Sequence, residues 1–160
     1  MIPRPAEYLA EWMLRFLKNK DLIFRRIDDI DHDREKNTLA VSMKDGTSQF
    51  YLIEPFIDDS SLDSLLDKMK DQEACSLVIY NTKENLDVVT KNWDRLARFR
   101  RDFSISFINP FSRTEKRWVV YPATHSLVTD ESKIKQSLKV LFSNVEPTNQ
   151  KDIEKIIKSN

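Results

Sequence analysis

The run Ala74-Cys75-Ser76-Leu77-Val78-Ile79-Tyr80 constrains this chain more than any other segment. It is apolar at almost every position, too short for a buried helix and rich in β-formers. A strand of that kind is buried on both faces, which requires a sheet with helices packed against each side. The segments around it supply those layers. Residues 5–18 place Leu9, Trp12, Met13, Phe16 and Leu17 on one helical face, and Glu7, Glu11, Arg15 and Lys18 on the other. Residues 62–70 repeat the helical period with Leu62, Leu65, Leu66 and Met69, after a capping Ser61. Residues 86–99 repeat it with Leu86, Val89, Trp93 and Leu96.

The remaining strands are legible from period and punctuation. Leu22–Ile27 is apolar and β-rich, and the polar stretch Asp28–Asn37 reads as a solvated connection. Thr38–Met43 and Ser48–Ile53 flank Lys44-Asp45-Gly46-Thr47, a hairpin turn in which Asp-Gly supplies positive φ. Phe103–Ile108 stops at Asn109-Pro110, and Arg117–Tyr121 stops at Pro122. Helical patterns over 131–142 and about 150–158 complete the chain. The expected fold is α/β (α+β): a mixed central sheet with an N-terminal helix, a three-strand antiparallel meander, then alternating strands and helices on both faces. Residues 1–147 form a single domain, and 148–160 form a short C-terminal helical tail, loosely attached.

Composition removes several functions. Gly46 is the only glycine among 160 residues, so neither a Walker-type phosphate loop nor a dinucleotide fingerprint can be present. A Gly-x-Ser-x-Gly nucleophile elbow is excluded for the same reason, which leaves His125 without a triad. Cys75 is the only cysteine, so there is no internal disulfide and no multi-cysteine metal site. No apolar run reaches the roughly 18–20 residues that span a bilayer, and no membrane partner is expected. A cytoplasmic location is expected.

The formal net charge is zero, but the charge is polarised. Between Lys91 and Trp118 stand eight basic residues and three acidic ones. Lys91, Arg95, Arg98, Arg101, Arg113, Lys116 and Arg117 are the candidate polyanion-binding set, because arginine forks match phosphate oxygens and nearby aromatics stack on bases. A second candidate lies beyond the strands' carboxyl ends, where open α/β sheets bind ligands. There Glu54, Asn81, Asn109 and Ser112 converge if their strands are parallel neighbours. The cluster Asp28, Asp29, Asp31 and Asp33 lacks the glycine and terminal glutamate of a calcium loop and reads as solvated.

The order helix, three-strand meander, helix, strand over about residues 5–110 resembles the core of the restriction-endonuclease-like nuclease superfamily. That resemblance implies a Mg²⁺ site with Glu7 or Glu11 from the first helix, Asp45 from the hairpin and Glu54 from the third strand. It also implies a lysine at residue 56. Phe56 stands there instead, after Pro55. The closing region, from Asn109-Pro110-Phe111-Ser112 to Tyr121-Pro122-Ala123-Thr124-His125, is similar to small uncharacterised archaeal proteins. The leading expectation is a non-catalytic binding or adaptor module of nuclease-like fold, taking nucleic acid or another polyanion and no cofactor. The alternatives are a Mg²⁺-dependent nuclease with a degenerate site and a plain protein–protein interaction domain.

Overall fold

The computed structural model describes residues 4–159. In chain order it contains α1 (Pro5–Asp21), β1 (Ile27–Asp33), β2 (Thr38–Met43), β3 (Ser48–Ile53), α2 (Leu62–Met69) and β4 (Cys75–Tyr80). These are followed by α3 (Lys83–Lys91), α4 (Trp93–Phe99), β5 (Ser104–Ile108), β6 (Arg117–Val120) and α5 (Pro122–Val128). A 3₁₀ turn over Glu131–Lys133 leads into α6 (Ile134–Ser143), and α7 (Gln150–Ser159) ends the chain. The fold is α/β, with one six-stranded mixed sheet in the order β1-β2-β3-β4-β5-β6. The meander β1–β3 is antiparallel, β3, β4 and β5 are parallel neighbours, and β6 returns antiparallel on the far edge.

All six residues of β4 are buried. Its side chains alternate between two cores, as a period of two demands. Cys75, Leu77 and Ile79 enter the core built with α2, α3, α4 and α6, whereas Val78 and Tyr80 enter the core built with α1 and α7. The crossover helices α2 and α3–α4 share one face, as successive crossovers of one hand along a sheet must. The opposite face is left to the two ends of the chain. Ile153 and Ile157 of α7 are buried in the core that α1 also fills, so the C-terminal helix is docked rather than loose. Among the described residues no helix is long and apolar enough to cross a membrane.

Three local readings change. The first strand is not Leu22–Ile27. It begins at Ile27 and runs through the acidic cluster, while Leu22, Ile23 and Phe24 form an exposed turn. Asp is a poor strand former, but β1 is an edge with one face in water. Ile30 packs toward α1, and Asp29 and Asp31 face solvent. Such charges also deter another chain from adding to that edge. The expected helix over 86–99 is two helices, broken at Asn92, whose Nδ2 donates to the carbonyl of Val88 at 2.8 Å and to Asp59 at 2.7 Å. Finally, Pro122 opens a helix, α5, instead of only ending β6, because proline suits a first helical turn.

Val78 and Ile153 test the two-sided packing from the sheet and from the last helix. Val78→Ala is expected to lower unfolding free energy by about 1–3 kcal/mol, and Ile153→Ala by about 2–5 kcal/mol. Denaturant melts measure both. A loss below ~0.5 kcal/mol for Ile153→Ala would mean that α7 does not close the core.

Candidate functional site

On the α1 face, β4 and β5 carry small polar residues where apolar bulk is the rule. Ser76, Ser104 and Ser106 are buried there, and Ser104 Oγ donates to Ser76 Oγ at 2.9 Å. Short side chains leave space above the sheet, and Arg117 on the edge strand β6 extends into it. Its Nη1 donates to Ser106 Oγ at 3.0 Å, and the guanidinium lies over the ring of Phe16, 4.2 Å from the centroid. The arginine is half-buried, and burial draws its pKa below the usual arginine range. Among the described residues no carboxylate lies within 4 Å of it.

Arg117 faces a cavity of about 280 Å³ walled by Phe16, Lys20, Phe24, Arg26, Gln49 and Tyr51. The Tyr51 hydroxyl donates to Gln49 Oε1 at 3.0 Å. Asp21 also borders the cavity, but its carboxylate is engaged by the backbone, accepting from the N–H of Arg26 at 2.6 Å and of Ile27 at 3.2 Å. Three cations therefore meet one carboxylate that is already hydrogen-bonded. A guanidinium with one protein acceptor keeps most of its five donors open, and its planar fork fits a carboxylate or phosphate.

The other basic candidates do not form one face. Lys91 pairs with Asp59 at 2.6 Å and Arg95 with Asp63 at 2.6 Å, so both tie their helices to the α2 side. Arg98, Arg101, Arg113 and Lys116 are exposed. The first two precede β5 and the last two follow it, so the five-residue strand, roughly 17 Å long, separates the pairs. The neighbouring Arg100 donates to the carbonyls of Met69, Lys70 and Gln72 at the end of α2.

The strand-end crevice is partly filled, and the space left is a cavity of about 250 Å³ beside Asn109, Phe111, Glu146 and Lys155. β3, β4 and β5 are parallel neighbours as the convergence requires, but Asn81 and Asn109 are buried structural residues. Asn81 Nδ2 donates to the carbonyls of Phe142 and Val145, and its Oδ1 accepts from Trp118 Nε1 at 2.7 Å. Asn109 Nδ2 donates to the carbonyl of Glu146, and its Oδ1 accepts from the N–H of Phe111. Ser112 Oγ bonds with Thr114 Oγ1. The segment that follows α6 thus closes over the strand ends. Glu54 stands apart, half-buried in a separate cavity of about 710 Å³ with Lys68 and Asp33.

The carboxylates of the magnesium alternative do not converge. Asp45 lies in the hairpin turn and accepts from the N–H and Oγ1 of Thr47. Glu54 follows the opposite end of β3, whose six residues put the two roughly 20 Å apart. Glu7 pairs with Arg4 at 3.6 Å, and Glu11 is exposed on α1. A hard cation needs such oxygens around one point. Among the described residues no group of three or more His, Cys, Asp or Glu side chains is arranged to hold a metal. Phe56, at the lysine position, stacks on Tyr80 with centroids 5.5 Å apart.

Sequence reasoning included Arg117 but missed its surroundings: Phe16, Lys20, Arg26 and Tyr51. The available signal was the serines at 76, 104 and 106, small polar residues inside buried strands, which mark a gap in packing. Comparison with protein-family models, with curated proteins and with solved structures gave no match.

Glu54 gives a test with a definite sign. Burial raises its pKa, with the charge of Lys68 opposing and that of Asp58 adding. The folded state then holds the proton more tightly than the unfolded one, so the carboxyl's penalty on stability is absent below its unfolded pKa. It grows as pH rises to the folded pKa. Glu54→Gln is therefore expected to raise Tm at neutral pH, with the gain vanishing toward about pH 4, near the free carboxyl pKa. Thermal melts across that range check it. A gain independent of pH would show that ionisation is not its source.

Proposed function

We propose that this chain is a non-catalytic binding module for a phosphate- or carboxylate-bearing polyanion, with Arg117 as the residue that grips it. One observation carries the reading: a half-buried guanidinium faces a cavity with no acidic partner within 4 Å among the described residues. Holding a charge partly out of water is unfavourable unless an opposite charge offsets it. An external oxyanion supplies that charge, and Lys20 and Arg26 on the cavity wall add to its attraction. Tyr51 offers a hydroxyl on the same wall.

Nucleic acid is the first polyanion to test, on the strength of the resemblance drawn from the sequence. The non-catalytic part of the reading is supported by Phe56 in place of the lysine and by the separation of Asp45 from Glu54 along β3.

Calorimetry with inorganic pyrophosphate, and anisotropy with 5′-phosphorylated single-stranded oligonucleotides, test the site directly. Arg117→Ala is expected to weaken pyrophosphate at least tenfold and to reduce the oligonucleotide salt slope by about one unit, one lost phosphate contact. Arg98→Ala with Arg101→Ala is expected to leave pyrophosphate unchanged. Pyrophosphate binding that survives Arg117→Ala would overturn the assignment. Incubation with Mg²⁺ or Mn²⁺ is expected to leave the oligonucleotides intact. Cleavage that Glu54→Gln abolishes would restore a catalytic reading.

A further inference from the structure

The turn after α1 exposes three consecutive large apolar side chains, Leu22 at 68%, Ile23 at 84% and Phe24 at 67%. The turn is well tied. The N–H of Arg25 donates to the carbonyl of Asp21 at 2.8 Å, and the Asp21 carboxylate holds the next two N–H groups. The carbonyl of Arg26 accepts from Lys44 at 2.9 Å. Arg25 itself sits at φ 47°, a left-handed conformation unfavourable for a side chain of its kind. The backbone is thus fixed in a shape that keeps the apolar tip in water. Lys18, Lys20, Arg25 and Arg26 surround that tip in sequence, against Asp21 alone.

We propose that this turn is an anchor for an anionic membrane surface. Leu22, Ile23 and Phe24 enter the interfacial layer, and the four cations lie at the level of the lipid phosphates. The inference rests in part on the proposed anion site, because Phe24 and Arg26 also wall the Arg117 cavity, which a headgroup phosphate then enters.

Charge and shape favour this occupant. A bilayer interface encloses a projecting apolar tip from every side, and all three side chains are exposed at that tip. Leu22 and Ile23 are aliphatic and have no π-face for a nucleic-acid base to stack on. Basic residues around an apolar tip are the arrangement that combines burial with attraction to anionic lipid. The expectation of no membrane partner concerned spanning length, and lying on a surface needs no span.

The test is co-sedimentation of the full chain with vesicles of phosphatidylcholine alone, or with about 30% phosphatidylserine, at low and physiological salt. Binding to the anionic vesicles is expected to be at least tenfold tighter, and weaker at the higher salt. The double variant Leu22→Ser, Ile23→Asp, at two tip residues outside the cavity wall, is expected to lose at least tenfold on those vesicles while keeping its circular dichroism and its pyrophosphate affinity. These side chains are exposed, so folding does not depend on them. Arg117→Ala is expected to lose pyrophosphate and only a few-fold of vesicle affinity, which separates failure of the cavity reading from failure of the anchor. Equal binding to both vesicle types, or vesicle binding untouched by the double variant, overturns the anchor. So does a double variant that instead abolishes oligonucleotide binding or dissolves a homodimer.

Discussion

Asn81 joins three parts of the molecule through one side chain. It follows the last residue of β4, accepts a hydrogen bond from Trp118 on the edge strand β6, and donates to two carbonyls at the end of α6. Its backbone extends the same junction: the N–H donates to the carbonyl of Ile108, and the carbonyl accepts from Thr148. Asn81 itself is fully buried, and a buried polar group without a partner costs about 1–3 kcal/mol. Asn85 does the same on the other side. Its amide serves the carbonyls of Pro55 and Tyr80, and its Oδ1 accepts from Ile57. The buried β4 cannot end in water, so its backbone and its neighbours' are satisfied internally, and two asparagines do it. This is why Asn81 is enclosed at the strand ends, where the space left open is a cavity of about 250 Å³ beside Asn109, Glu146 and Lys155.

The Arg117 cavity follows from how the two faces of the sheet are filled. The face toward α2, α3, α4 and α6 carries Phe103, Ile105, Phe107 and Trp118, with Phe107 and Trp118 stacked at 3.8 Å between centroids. The face toward α1 carries serines at 76, 104 and 106. Arg117 reaches over the serines because β6 is an edge and its side chain enters from outside the sheet. A central strand would have had to carry that charge with no path to solvent.

The two edges differ in the same physical terms. β1 places carboxylates at Asp29 and Asp31 on its open face, which keeps the meander's edge from pairing with another strand. The turn before it does the reverse and sets apolar groups in water. Both features come from one decision, where β1 begins. Starting it at Ile27 instead of Leu22 moves three apolar residues out of the sheet and four acidic ones into it.

Much of the architecture was legible in residue order. The two-sided burial of Ala74–Tyr80 required helices on both faces, and Asp45-Gly46 fixed the hairpin, because each is a local property with one low-energy solution. Arg117 was visible as a basic residue among others. What the sequence could not rank was which apolar run joins the sheet, since Leu22–Ile27 has the better strand propensity and Ile27–Asp33 the better fit to an edge with water on one side. Nor could it show that Arg95 and Lys91 meet acids on the α2 side, that Asp45 and Glu54 end up at opposite ends of β3, or that Asn81 and Asn109 are enclosed by the segment after α6. Those outcomes depend on distances between elements far apart in the chain. Local pattern determines the elements because it acts through backbone geometry and burial period. The partner of each charge is decided only when packing brings the elements together, and that is what left Arg117 without a carboxylate.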